Sequence, residues 1–115
     1  MVIRRGEIWW AELAEPRGSE PGYDRPVVII QSDLFNQTKI NTVLAAAITS
    51  NLRMEGMPGN FLLSKKSSGL AKPSVVNVTQ LLTVNKSWLK SKVKQLPLDE
   101  MAKLEAGIRL VLSLA

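Results

Sequence analysis

The stretch Thr42–Thr49, TVLAAAIT, decides the fold class, because its three alanines make helix a competitor while its ends argue for strand. Val43 and Ile48 bracket a short apolar run between two polar, turn-like segments, so the run is read as a buried strand. Upstream, Val27–Gln31 is a second continuous apolar strand opened by Pro26, and Glu7–Leu13 (EIWWAEL) is a third. Trp9 and Trp10 are adjacent there, so they must point to opposite faces, one to the core and one to the surface or an interface. Pro16–Pro26 (PRGSEPGYDRP) holds three prolines and two glycines and reads as a loop of a length that is often functional.

Asp33 can cap a short helix over Leu34–Lys39, and Ser50–Asn60, with Gly56, Pro58 and Gly59, reads as a mobile loop returning through Phe61–Leu63. Ser64–Pro73 is polar and basic. Ser74–Val84 (SVVNVTQLLTV) alternates as a strand, with Asn77 and Thr79 on one face opposite Val76, Val78 and Gln80 if no bulge intervenes. Asn85 is a cap for a short helix through Trp88 and Leu89. After Pro97, Asp99 and Glu100 suit a helix N-terminus, and Met101, Leu104, Ile108, Val111 and Leu112 recur at helical spacing. Strands first and one terminal helix predict an α+β chain: a small, strongly bent antiparallel sheet forming a half-open, SH3-like barrel, with short helices and an amphipathic C-terminal helix.

Composition narrows the chemistry. At 115 residues and 45% hydrophobic, residues 1–115 are expected to form a single domain. Such a chain buries roughly two-thirds of its unfolded surface, and dimerisation would add margin. With no Cys and no His, disulfides, thiolate sites, the usual zinc ligands and Ser-His-Asp triads are all excluded. No signal peptide or membrane span is legible, so the protein is expected in the cytoplasm. The charge of +5 is uneven: residues 1–60 hold 6 Lys/Arg against 7 Asp/Glu, residues 61–115 hold 9 against 3. Every charged residue from Lys65 to Lys94 is a lysine, a field that either attracts a polyanion or an acidic peptide or serves as a solvated surface.

Arg5-Gly6-Glu7-Ile8-Trp9, Gly18-Ser19-Glu20, Arg25-Pro26-Val27-Val28, Ala47-Ile48-Thr49-Ser50 and Ser74-Val75-Val76 leading to Gln80 arrive in order across nearly the whole chain. That ordered set resembles the MazF/PemK family of toxins. The resemblance implies a barrel-like fold with a C-terminal helix and a two-fold homodimer. It also implies sequence-selective cleavage of single-stranded RNA, as in mRNA, without metal or cofactor. A cognate antitoxin is implied as well, which inserts an extended, often acidic C-terminal segment into the RNA groove.

Cleavage without metal can use the neighbouring 2′-OH as nucleophile, which needs a base, an acid for the leaving 5′-oxygen and positive charge on the phosphate. Arg25 suits the last role, because its planar fork binds two phosphate oxygens; pairing with Glu20 or Asp24 is its structural alternative. Thr49 can donate a hydroxyl to the same phosphate, and the family pattern favours that over a purely structural hydroxyl. Ser19, Glu20, Ser50, Asn77 and Gln80 are candidates for positioning RNA. The plasmid-borne branch of the family carries a His in the first loop and an Arg/Asp pair on the later strand, where this chain has Ser19, Asn77 and Thr79. The acid and base therefore stay unassigned, with Glu20 one candidate base. A metal needs several converging carboxylates, and only Glu20 and Asp24 lie near this loop.

Two rival functions follow from the same residues. Gyrase-poisoning toxins of this fold use a Trp-bearing C-terminal tail, whereas this chain ends Leu112-Ser113-Leu114-Ala115. A non-catalytic single-strand binder needs several exposed aromatics, and most of the chain's few aromatics are expected to be buried.

Overall fold

The computed structural model describes residues 2–13, 18 and 23–115. Six strands form one sheet: β1 (Glu7–Glu12), β2 (Asp24–Ile29), β3 (Thr42–Thr49), β4 (Phe61–Leu63), β5 (Ser74–Asn85) and β6 (Leu89–Gln95). They lie in the order β4-β5-β3-β2-β1-β6, and every neighbouring pair is antiparallel. Two four-residue helices, α1 (Asp33–Asn36) and α2 (Lys65–Ser68), and a longer one, α3 (Leu98–Val111), complete the curled half-barrel. The sheet buries both faces. Ile8, Val28, Ala46, Ile48 and Val76 pack on one side against Met101 and Leu104 of α3. Trp9, Val27, Ile29, Val43 and Ala45 pack on the other with Val84 and Leu89. Ala45, Ala46 and Ala47 are all buried in β3, the strand whose helix propensity was overridden. Side chains converge inside a curled sheet, so small residues relieve crowding there.

Several expectations are corrected. Ser32, not Asp33, caps α1 by accepting from the Leu34 amide at 3.2 Å, and the helix ends at Asn36. Asp33 instead accepts from the Arg5 amide at 2.7 Å and from Asn36, and these bonds, the Arg5 amide foremost, hold its carboxyl below the ordinary range. The Ser50–Asn60 segment contains an ordered 3-10 turn, Leu52–Gly56, capped by Asn51. Asn85 does cap a short turn, Lys86–Trp88, but the chain then runs on as the edge strand β6 instead of extending a helix. Its lysines suit an edge, since charge there discourages pairing with another chain.

A bulge does intervene in β5. Ala46 faces Leu81 but Ala47 faces Asn77, leaving Val78–Gln80 without partners on β3. Asn77 is buried, and its Oδ1 accepts from the Thr79 amide and hydroxyl at 3.1 and 2.6 Å and from Asn60 at 3.2 Å. Asn60 in turn accepts from Val78 N at 2.8 Å and donates to Met54 O at 2.8 Å, tying the bulge to the 3-10 turn. Gly59, at φ +88°, lies against Gly107 of α3, where a Cβ on Gly107 would overlap the Gly59 carbonyl. The last turn of α3 differs from the expected buried stripe: Val111 and Leu112 are exposed, beside Leu110 and Leu114.

Candidate functional site

The Arg5-Gly6-Glu7 segment is scaffold. Arg5 donates to Ile30 O and pairs with Glu105 of α3 at 2.9 Å, while Gly6 bonds both Ile29 and Leu96 through its backbone. Glu7 is buried where β1 meets β6. Burial opposes its charge, but bonds from Lys92 at 2.9 Å, the Arg4 amide at 2.8 Å and the Trp9 indole at 3.1 Å outweigh it, and its carboxyl is held below the usual value. This clasp fixes β1, and with it Trp10, whose ring lies on the face opposite buried Trp9.

At the end of the sheet where β2 begins and β3 ends lies an open cleft of about 490 Å³. Ile48 and Leu70 supply apolar lining, Arg25 and Lys72 positive charge, Asp24 one carboxylate, and Ser50 and Ser74 hydroxyl-bearing side chains. Trp10 and Tyr23 add two aromatic rings. The volume falls within the ~300–1,000 Å³ of small-molecule sites, and the mixture of cations, hydroxyls and aromatic faces suits a nucleotide chain.

Arg25 is the second residue of β2 and Thr49 the last of β3, both half-buried. Val27 faces Ala47 across these strands. The β2–β3 pairing ends at that pair, two residues short of both Arg25 and Thr49. The Thr49 Oγ1 accepts from the Asn51 amide at 3.1 Å, a bond that leaves the hydroxyl hydrogen for another acceptor. Ser50 follows at the cleft wall, exposed. Arg25 and Ser50 thus line the cleft together, whereas Thr49, between Ile48 and Ser50 in the chain, is not among its lining residues. Asn77 shares the face of Thr49, two residues back along the strands, but its side-chain oxygen is committed to the bulge. Gln80 is half-buried within the bulged segment and does not line the cleft. Ser19 and Glu20 lie outside the described residues.

Sequence reasoning passed over Tyr23 and Lys72 as site residues. The one signal for Tyr23 was an aromatic inside a Pro/Gly loop. The lysines of β6 are less available than their number suggests: Lys92 pairs with Glu7, Lys90 with Glu12 at 3.6 Å, and Lys94 donates to Lys66 O. Among the described residues, no three His, Cys, Asp or Glu converge as a metal site, and no helix is long and apolar enough to cross a membrane.

Residues 4–112 match the family described as "PemK-like, MazF-like toxin of type II toxin-antitoxin system". The chain is 46% identical over 114 residues to endoribonuclease MazF6 of Mycobacterium tuberculosis strain H37Rv, covering 99% of this chain and all of the relative. In fold it is similar to a MazF crystal structure from Deinococcus radiodurans, with a TM-score of 0.81 at 20% identity over 99% of both chains. It is also similar to an endoribonuclease in complex with its cognate antitoxin from a mycobacterial species, with a TM-score of 0.80 at 18% identity over 98% and 97%.

Proposed function

Because the chain belongs to the PemK-like, MazF-like family of toxins, we propose that it is an endoribonuclease toxin that cleaves single-stranded RNA and is neutralised by a cognate antitoxin. Residues 1–115 act as one domain, in the cytoplasm, as a homodimer; the exposed apolar surface of Leu110, Leu112 and Leu114 supports burial against a second copy. The observation that carries the mechanism is Arg25 in the lining of the cleft, together with Lys72 and Ser50.

The substrate 2′-oxygen attacks the adjacent phosphorus as its proton passes to a base. An O2′–P bond forms, the P–O5′ bond breaks, and the departing O5′ takes up a proton. The products are a 2′,3′-cyclic phosphate and a 5′-hydroxyl. Negative charge grows on the non-bridging oxygens, and the Arg25 fork with the Thr49 hydroxyl stabilises it. Guanidinium groups do not act as bases in proteins, so Arg25 serves as a clamp and not as the base. Glu20 is the proposed base; Ser19 and Ser50 contact the RNA, while Asn77 and Gln80 position it through the bulge. No metal or cofactor takes part. Purified protein is expected to cut a long natural RNA in EDTA, in unpaired segments only. A strict requirement for Mg²⁺ would overturn this mechanism.

A further inference from the structure

Four of the chain's aromatic side chains are exposed, against the sequence expectation: Trp10, Tyr23, Phe35 and Trp88. Two of them, Trp10 and Tyr23, line the cleft that holds Arg25 and Lys72. Tyr23 is 62% exposed, and its backbone sits at φ +58°, in the left-handed region that bulky residues seldom occupy. Its carbonyl accepts from the Leu13 amide at 2.8 Å, which ties Tyr23 to the residue just after β1. Nothing in the core is gained by burying the ring, because it stays in solvent. Strain of this kind persists where surrounding structure enforces it and clusters at ligand sites.

We propose that Tyr23 and Trp10 form a base-stacking subsite, which holds an unstacked nucleobase of the RNA beside the phosphate clamped by Arg25. The proposal rests on the ribonuclease reading. Aromatic faces next to cations match a nucleotide, whose base takes the ring and whose phosphates take Arg25 and Lys72. Every base has a π-face, so this subsite adds affinity across sequences and fixes the strand's path.

The test uses Tyr23→Asn, because Asn tolerates the left-handed backbone and lacks the ring, with Tyr23→Phe as the conservative variant. Trp10→Leu tests the cleft's other aromatic independently. On single-stranded RNA, Tyr23→Asn and Trp10→Leu are expected to raise KM about five- to a hundredfold with kcat little changed, and Tyr23→Phe to restore it. The Kd for an oligonucleotide of the mapped cleavage sequence, carrying deoxyribose at the cut nucleotide, is expected to rise by the same factor. Unchanged KM and Kd in both variants, or weakened antitoxin binding with normal RNA kinetics, would overturn the subsite alone. Failure of the unaltered protein to cut RNA would overturn the ribonuclease reading and the subsite with it.

Discussion

Replacing Glu7 with Gln removes one charge from the clasp between β1 and β6 and leaves its shape almost unchanged. The Gln side-chain oxygen can still accept from the Arg4 amide and the Trp9 indole, but its NH₂ group then faces the Lys92 ammonium, donor against donor. A hydrogen bond to a charged group contributes about 1.5–3 kcal/mol, and Lys92 is half in water, so about 1–2 kcal/mol is the expected loss at pH 7. At fixed protein concentration that corresponds to a fall of roughly 5–10 °C in Tm. The folded carboxyl titrates below its ordinary 4.5, so its stabilisation is complete above that value and disappears as pH falls through the lowered folded pKa. Thermal unfolding by circular dichroism at pH 7, 5 and 3 should show the gap between the two proteins shrinking in acid. A gap of the same size at pH 3 would refute the charge argument, and no gap at pH 7 would refute the clasp.

Arg25→Ala should lower kcat/KM roughly a hundredfold to a thousandfold with the fold and dimer intact, as loss of a transition-state donor does, and Thr49→Ala should impair cleavage strongly; a Tm scan beside the kinetics separates chemistry from folding. Gly107→Ala, which would favour an isolated helix, should instead destabilise by about 1–3 kcal/mol, because the methyl meets the Gly59 carbonyl; a raised denaturation midpoint would show that α3 moves away freely. The antitoxin's C-terminal segment should compete with RNA and bind more weakly as salt rises; simultaneous tight binding of both would refute a shared groove. Neutralising Lys90, Lys92 and Lys94 should alter low-salt association rates only modestly, since Lys92 pairs with buried Glu7 and Lys90 with Glu12.

The strand at Thr42–Thr49 was legible to its last residue because apolar content and flanking turns outweighed alanine's preference for helix. The edge strand β6 was not, because Leu89-Lys90-Ser91-Lys92-Val93-Lys94 reads as polar when only one face of one edge is buried. The bulge at Val78–Gln80 could not be seen either: it is a mismatch between two strands, and neither sequence alone records it. Arg25 and Thr49 were singled out by resemblance, and only the structure shows that Arg25 lines the cleft while Thr49 does not. Tyr23 illustrates the opposite limit. Its identity says aromatic, while its exposure and left-handed backbone are visible only in the structure.

Whether the RNA's own 2′-oxygen performs the attack is the central claim, and one substrate pair tests it. An oligonucleotide spanning a mapped cleavage site is compared with its twin, in which only the ribose 5′ to the scissile phosphate is replaced by deoxyribose, both in EDTA. A 2′,3′-cyclic phosphate and a 5′-hydroxyl are expected from the first and no product from the second, although the second still binds. Cleavage of the deoxy-substituted strand at the same bond would contradict the claim.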